Sequence, residues 1–274
     1  MRFLMLVKAN AESESGALPS PQLVAEMCRF NEEMRKAGAL LAAEGLQASS
    51  KGARVHYKKG KLTVVDGPFT ESKELIAGLW LFQAKSMAEA VEWAKRVPFE
   101  AGEVEIRPLM EIEEIPVDPA EKPDGWRDKG IELREASAPA RRPGTRRYMG
   151  LVMADPDSEV GTLPNEKLMA DMGAFFQKGL DAGVILSGEG LQPTSKAKRV
   201  RYAGKQRMVI DGPFTESKEI IAGYWLLQFR SKSEAVDFTK RFLEIDAPGR
   251  RLDECFSEIR PLIEAEDFAA GRAH

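Results

Sequence analysis

The segment Arg2-Phe-Leu-Met-Leu-Val7 is apolar at consecutive positions, the pattern of a strand covered on both faces. Arg147-Tyr-Met-Gly-Leu-Val152 repeats it 145 positions later. After each strand the period changes from two to about four. Helices are predicted over Ser20 to Ala37 and Asn165 to Ala182, closed by Gly38 and Gly183, as C-terminal glycines close helices. Within the first, Leu23, Met27 and Phe30 stand on one face and return as Leu168, Met172 and Phe175, so what the two copies share there is a core stripe. A strand near Leu40 to Ala43 follows, then two short strands, Val55 to Tyr57 and Leu62 to Val65, around Lys59-Gly60, which read as a hairpin. Leu75 to Gln83 is a long apolar strand, Ser86 to Val97 a helix capped by Ser86, and Glu105-Ile-Arg-Pro-Leu109 the last strand. The predicted order is β-α-β-β-β-β-α-β, one α+β sheet per copy with both helices on one face. The other face of each sheet is also apolar and needs a cover. The other copy supplies it most economically, giving two sheets face to face as an intramolecular pseudo-dimer.

Three strings survive unchanged between the copies. Asp66-Gly-Pro-Phe-Thr-Glu-Ser-Lys-Glu74 returns at Asp211 to Glu219, Glu44-Gly-Leu-Gln47 at Glu189 to Gln192, and Glu105-Ile-Arg-Pro-Leu109 at Glu258 to Leu262. A period this long marks a duplicated domain and not a solenoid. The expected organisation is copy one over 1–112, a Pro- and charge-rich linker over 113–145, copy two over 146–264 and a tail over 265–274. Copy two carries eight extra residues within Glu244 to Phe256, expected to reshape one pocket mouth.

Charge narrows the partners. With 43 acidic against 40 basic residues and a net charge of −3, the chain lacks the basic excess that nucleic acid or an anionic membrane surface selects. A small molecule or a protein is the expected partner. Cys28 and Cys255 are isolated and not equivalent, which predicts no disulfide framework and a reducing, cytoplasmic setting. His56 and His274 are the only histidines, so no zinc, haem or nucleophile–histidine set assembles within a copy. No Walker loop or dinucleotide fingerprint is present. Chemistry, if the chain is an enzyme, has to run on carboxylates, Lys, Arg, Tyr or Trp, with no cofactor expected.

Asp66 and Asp211 have two readings. An Asp before Gly-Pro is turn chemistry: its carboxylate accepts loop N–H groups and Gly tolerates positive φ. At a cleft mouth the same carboxylate could serve as a general base. Glu71, Lys73 and Glu74, with Glu216, Lys218 and Glu219, are charged residues that no turn requires. They form either a solvated ion-pair cluster or a binding surface. The candidate ligand-binding set is Glu44, Phe69, Lys73 and Arg107 in copy one and Glu189, Phe214, Lys218 and Arg260 in copy two. Each has a structural alternative: ion pairing for the arginines and turn chemistry for Glu44 and Glu189. Trp80 and Trp225 read as core.

The Asp-Gly-Pro-Phe strings, with Glu44-Gly-Leu-Gln47 and Glu105-Ile-Arg-Pro108, resemble the DGPF-type branch of the YCII-related domain family over nearly the full length of each copy. The resemblance implies two ferredoxin-like domains forming an intramolecular dimeric α/β barrel. Some relatives are described as transferase-like or as companions of extracytoplasmic-function sigma factors. In the wider family a His on the first helix and an Asp are proposed as a catalytic pair; the Asp corresponds to Asp66 and Asp211, while neither first helix here contains a histidine. The functional expectation is a small polar metabolite bound near the two loops, with cofactor-free lyase or isomerase chemistry using Asp66 or Asp211 as base and Lys73 or Arg107 to hold negative charge. A regulatory module that binds a protein such as a sigma factor is the alternative.

Overall fold

The computed structural model of the chain describes residues 1–69, 74–111, 142–214, 219–250 and 252–270. Most of the predicted linker, and Lys73 and Lys218, lie outside them. Copy one runs β1 (Arg2–Lys8), α1 (Ala11–Glu14), α2 (Pro21–Lys36), β2 (Leu40–Gly45), β3 (Ala53–Lys58), β4 (Lys61–Asp66), β5 (Ile76–Gln83), α3 (Met87–Lys95) and β6 (Ala101–Pro108). Copy two repeats the order as β7 (Arg146–Met153), α4 (Pro156–Glu159), α5 (Glu166–Asp181), β8 (Ile185–Gly190), β9 (Lys198–Ala203), β10 (Gln206–Asp211), β11 (Ile221–Phe229), α6 (Lys232–Gly249) and β12 (Glu254–Pro261). The residues expected as a tail begin with a further helix, α7 (Ala265–Ala270). Side-chain caps start the long helices: Ser86 accepts from the Glu89 N–H, as the sequence predicts, and Ser20 and Asn165, the expected helix starts, likewise accept from Leu23 and Leu168, satisfying donors the first turn leaves free.

The strands form two six-stranded antiparallel sheets, ordered β10-β9-β6-β1-β5-β2 and β4-β3-β12-β7-β11-β8. This corrects the expected topology. Each sheet does have six strands, but its outer hairpin belongs to the other copy. The β3–β4 hairpin leaves copy one and pairs through β3 with β12, while the β9–β10 hairpin leaves copy two and pairs through β9 with β6. The four strands that stay at home, β6-β1-β5-β2, have the 4-1-3-2 order of a βαββαβ unit, consistent with a ferredoxin-like domain.

Three cores stack through the molecule. One lies between copy one's sheet and its helices α2 and α3, and includes Phe3, Phe30, Trp80, Trp93 and Ile106 together with Val200 and Tyr202 from the visiting hairpin. Its counterpart in copy two includes Tyr148, Trp225, Phe238 and Phe242, with Ala53 and Val55 visiting. Between the sheets lies a third core of Leu4, Leu6, Ile76 and Leu79 against Met149, Leu151, Ile221 and Tyr224. The apolar second face of each sheet is thus buried against the other. The exchange carries stability as well: burying side chains such as Val200 and Tyr202 is worth roughly 1.5–3 kcal/mol each, and the Tyr202 hydroxyl donates to the Ala94 carbonyl at 2.6 Å.

The eight extra residues of copy two lengthen α6, which has 18 residues against the 9 of α3. The added turns pack on the start of α5, where the Asn165 amide donates to the Gly249 carbonyl at 3.1 Å. They also bring Arg250 to Asp155, the N-cap of α4, at 3.0 Å.

Candidate functional site

The three duplicated strings meet at the exchange. Glu44-Gly-Leu-Gln47 carries the chain out of its own sheet: the Leu46 N–H still donates to Ala77 of β5, and the next N–H, of Gln47, donates to the Pro261 carbonyl at the end of β12. Leu46 and Leu262 form a single antiparallel bridge there, as Leu109 and Leu191 do in the symmetric position. The nine-residue segment is the return crossing. Asp66 is the last residue of β4 in one sheet, and Glu74 lies just before β5 in the other. Glu105-Ile-Arg-Pro108 lies in β6, the strand that receives the visiting hairpin.

The glycine of Asp-Gly-Pro is needed for proximity and not for positive φ. Gly67 is absent from the left-handed positions, and a Cβ on it would stand 1.9 Å from the Ser49 carbonyl oxygen; at Gly212 the corresponding distance is 1.8 Å, to Thr194. The start of each return crossing, Gly67 or Gly212, therefore lies directly on the 3-10 turn Ser49–Lys51 or Thr194–Lys196. The Phe69 N–H donates to the Ser49 hydroxyl at 3.2 Å. Both peptide bonds preceding Pro68 and Pro213 are cis.

Asp66 and Asp211 point to solvent, their side chains 70% and 74% exposed. The turn reading placed loop N–H groups on each Asp; the structure gives each a lysine, and the two lysines are not equivalent. Asp66 accepts from Lys232 of the opposite copy at 2.7 Å, Asp211 from Lys198 of its own hairpin at 2.5 Å. Phe69 and Phe214 instead face inward and cap buried guanidinium groups, Arg54 lying 4.3 Å from the Phe69 ring centroid and Arg199 4.0 Å from that of Phe214, favourable cation–π separations.

Those arginines organise two buried ion networks. Arg54 bonds Glu258 at 2.9 Å and Glu219 at 2.8 Å, tying copy one's hairpin to two carboxylates of copy two. Its counterpart Arg199 bonds Glu105 at 2.7 Å and Glu74 at 2.8 Å. Arg260, fully buried, donates to Glu258 at 3.1 Å, to the Gln47 carbonyl at 2.9 Å and to Glu14 at 3.2 Å. Arg107, equally buried, donates to Glu105 at 3.2 Å and to the Gln192 carbonyl at 3.0 Å, with Glu159 at 3.7 Å. Burial alone would push the Glu105 carboxyl up, but Lys8, Arg107 and Arg199 outweigh it and hold the group at about 2.

Glu44 and Glu189 sit at the outward crossings, each bound at 2.6 Å to the first-strand arginine of the other copy, Arg147 or Arg2. Those arginines also hold Glu264 and Glu111, respectively. Burial raises both groups. Glu189 reaches about 7, with Arg2 pulling it down and the neighbouring Glu111 pushing it further up.

Sequence reasoning missed Glu14 and Glu159, which carry the networks to the short helices α1 and α4. Glu14 accepts from the Ser49 N–H, and Glu159 from the N–H and hydroxyl of Thr194. The signal was present: Ser13-Glu14 and Ser158-Glu159 keep the copy offset, each Ser closing a capping box with Asn10 or Asp155.

A small cleft opens between the sheets where the copies meet. It is lined by Glu74 and Ile76 of copy one, by their equivalents Glu219 and Ile221, and by Arg54, Glu258, Leu75, Leu151 and Met153. Among the expected ligand-binding residues, none of the described ones lines it. The return crossing reaches it through its last residue, not through its Asp.

The family model for the YCII-related domain matches the chain twice, over residues 1–113 and 147–246. The chain belongs to the YCII-related domain family. It is a tandem member, and the two matches flank the segment expected as a linker. It is also 36% identical over 98 residues to an uncharacterized protein of Rhizobium meliloti (strain 1021), an alignment spanning 36% of this chain and 75% of that relative. One YCII-related copy of this chain is about as long as that stretch.

Proposed function

We propose that this tandem YCII-related protein binds a small polar metabolite in the inter-sheet cleft, at the Glu74 and Glu219 ends of its nine-residue crossings. The observation that carries the reading is the convergence of all three duplicated strings on the strand exchange beside that cleft. Packing alone explains apolar stripes kept in two copies; it does not explain carboxylates and guanidinium groups kept at buried positions, where ion pairs often cost as much as they return. In this reading the domains are 1–112 and 146–264, the facing sheets make an intramolecular dimeric α/β barrel of DGPF type, and the Leu46–Leu262 and Leu109–Leu191 bridges stitch its seams. The cleft mixes carboxylates with Leu, Ile and Met walls, which suits a molecule with one polar end. Cofactor-free proton transfer by Asp66 or Asp211 is a separate proposal, for a substrate held at the solvent-facing start of a crossing, because neither Asp lines the cleft. The Asp66→Asn, Asp211→Asn protein would then bind ligand without turning it over; unchanged turnover rejects that role.

The test is native mass spectrometry of the purified full chain and a thermal-shift screen of metabolites of varied charge. Met153→Trp, which fills the cleft, is expected to abolish any ligand-induced shift. A screen without hits, or hits indifferent to Met153→Trp, overturns the cleft reading.

Docking of a protein partner, the regulatory alternative, has one observation in its favour. β4 and β10 are edge strands, and they hold Val64, Val65, Met208 and Val209 in water, the kind of edge on which an extended segment pairs. Val64→Lys with Val209→Lys would then abolish partner retention and leave metabolite shifts intact.

A further inference from the structure

β10 is an edge strand, and its free backbone groups follow from its pairing with β9. The Gly212 N–H donates to the Ala197 carbonyl at 3.1 Å, just beyond the Lys198–Asp211 pair. That bond makes Lys198 and Asp211 a non-hydrogen-bonded pair, and the alternation of an antiparallel ladder gives Val200–Val209 and Tyr202–Arg207 the same character. Arg207, Val209 and Asp211 therefore turn their N–H and C=O groups to the free side of the sheet. Edges are commonly blunted by Pro, by a bulge or by a covering segment. β10 contains no Pro, keeps an unbroken register on β9, and leaves Met208 60% and Val209 38% exposed. Its charges stand at its two ends and are opposite. Arg207 donates to the carbonyls of Lys95, Phe99, Gly204 and Gln206 and lies over the Tyr202 ring, with no carboxylate beside it among the described residues. Asp211 lies in water at the other end.

We propose that β10 pairs antiparallel with β10 of a second molecule of this chain, about a two-fold axis through Val209. In that register every outward residue meets an outward residue: Val209 opposes its own equivalent, and Arg207 of each molecule opposes Asp211 of the other. The N–H and C=O groups of all three are satisfied across the junction. Met208 and Ile210 oppose each other on the reverse face, which covers the exposed methionine. Centring the axis on Arg207 or on Asp211 would set like charges directly opposite, which is destabilising. The Val209-centred junction gives Arg207 its carboxylate and joins two six-stranded sheets edge to edge. The equivalent edge, β4, is not self-complementary, because with Val64 on the axis Leu62 would oppose Asp66. A single self-complementary edge closes a two-fold dimer and stops there. None of the residues lining the cleft belongs to β10, so this inference does not rest on the cleft reading.

The test is analytical ultracentrifugation of the full chain over a concentration series, with thermal melting to show that each variant is folded. The wild type is expected to pass from the 30.4 kDa of one chain to twice that mass and no further. Arg207→Asp alone and Asp211→Arg alone each set like charges across the junction and should stay monomeric. Mixed in equal amounts the two variants are complementary and should recover the dimer, which a packing defect would not allow; the double variant Arg207→Asp, Asp211→Arg should recover it as well. Val209→Pro removes an N–H that its own hairpin does not use, and should also leave a monomer. A wild type that stays monomeric throughout, or a dimer that survives both charge variants, overturns the inference. Growth beyond the dimer that Val64→Lys abolishes would mean that β10 pairs with β4 of the next molecule, and it too overturns the two-fold junction. Ligand shifts sensitive to Met153→Trp are read separately, so the cleft stands or falls by itself.

Discussion

Replacing Arg260 by Met leaves the volume nearly filled and removes the guanidinium that fastens copy one's outward crossing to copy two. Arg260 is fully buried and bonds the Gln47 carbonyl, Glu258 and Glu14. In the variant the Gln47 carbonyl loses its side-chain donors and the buried Glu258 is left to Arg54. Removing one partner of a buried ion pair costs about 3–5 kcal/mol, because the carboxylate left behind stays out of water. In a protein of this size each kcal/mol moves the melting temperature by roughly 2–4 °C, so Arg260→Met should melt about 10 °C lower. Arg260→Lys keeps the charge without the planar fork and should fall between the two. Thermal denaturation followed by circular dichroism at pH 7 reads the difference. A fall of less than about 2 °C for Arg260→Met would mean that the crossing is held by its backbone pairing alone.

The glycines of the return crossing are expected to reject a side chain: Gly67→Ala puts a Cβ 1.9 Å from a backbone oxygen, and the shift required should cost about 3 kcal/mol in urea denaturation, whereas Gly60→Ala meets no atom within 4 Å and suffers only from its positive φ. Glu105 is depressed from 4.5 to about 2; its contribution, about 3 kcal/mol at 1.36 kcal/mol per unit, is full above pH 4.5 and lost as the pH falls toward 2, and Glu105→Gln should remove that acid dependence. Glu189 has the opposite sign. Raised from 4.5 to about 7, it keeps a proton in the folded state that the unfolded chain has released, so stability declines by about 3 kcal/mol as the pH rises from 4.5 to 7. Relative to wild type, Glu189→Gln should gain stability over that window; a difference constant from pH 4.5 to 8 would show that burial does not control the group.

Much of the fold could be read from the chain because its signals are local. The Ser86 cap, the closing glycines Gly38 and Gly183, the Lys59-Gly60 turn and strands apolar on both faces each specify an element or its surroundings without reference to the rest. The exchange of hairpins could not be read in the same way. Val55 and Tyr57 alternate identically whichever sheet the hairpin joins; what decides the sheet is where the segment from Leu46 to Gly52 leads, and most of those residues are polar or small. The site suffered from the same limit. Asp66 and Asp211 stood out because Asp before Gly-Pro is conspicuous, yet both lie in water. The charges that meet at the centre, Arg54 with Glu258 and Arg199 with Glu105, are 204 and 94 residues apart, and each taken singly is an ordinary polar position in a strand. A usable hint was the Glu-Ile-Arg-Pro string, whose Glu and Arg at i and i+2 share one face of a strand apolar elsewhere, since a paired charge there needs a partner brought from a distance.

The exchange itself can be tested by one covalent bond. Tyr57 of β3 is registered opposite Cys255 of β12, and directly opposed antiparallel residues lie within disulfide range. With the exposed Cys28 changed to Ser, Tyr57→Cys should form an intramolecular disulfide between position 57 and Cys255 under diamide, seen as a linked peptide by mass spectrometry of monomeric protein. If each hairpin stayed in its own sheet, residue 57 would instead face 102, and Tyr57→Cys with Gly102→Cys in a Cys255→Ser background would cross-link. The account predicts the first bond and not the second; the second without the first would contradict it.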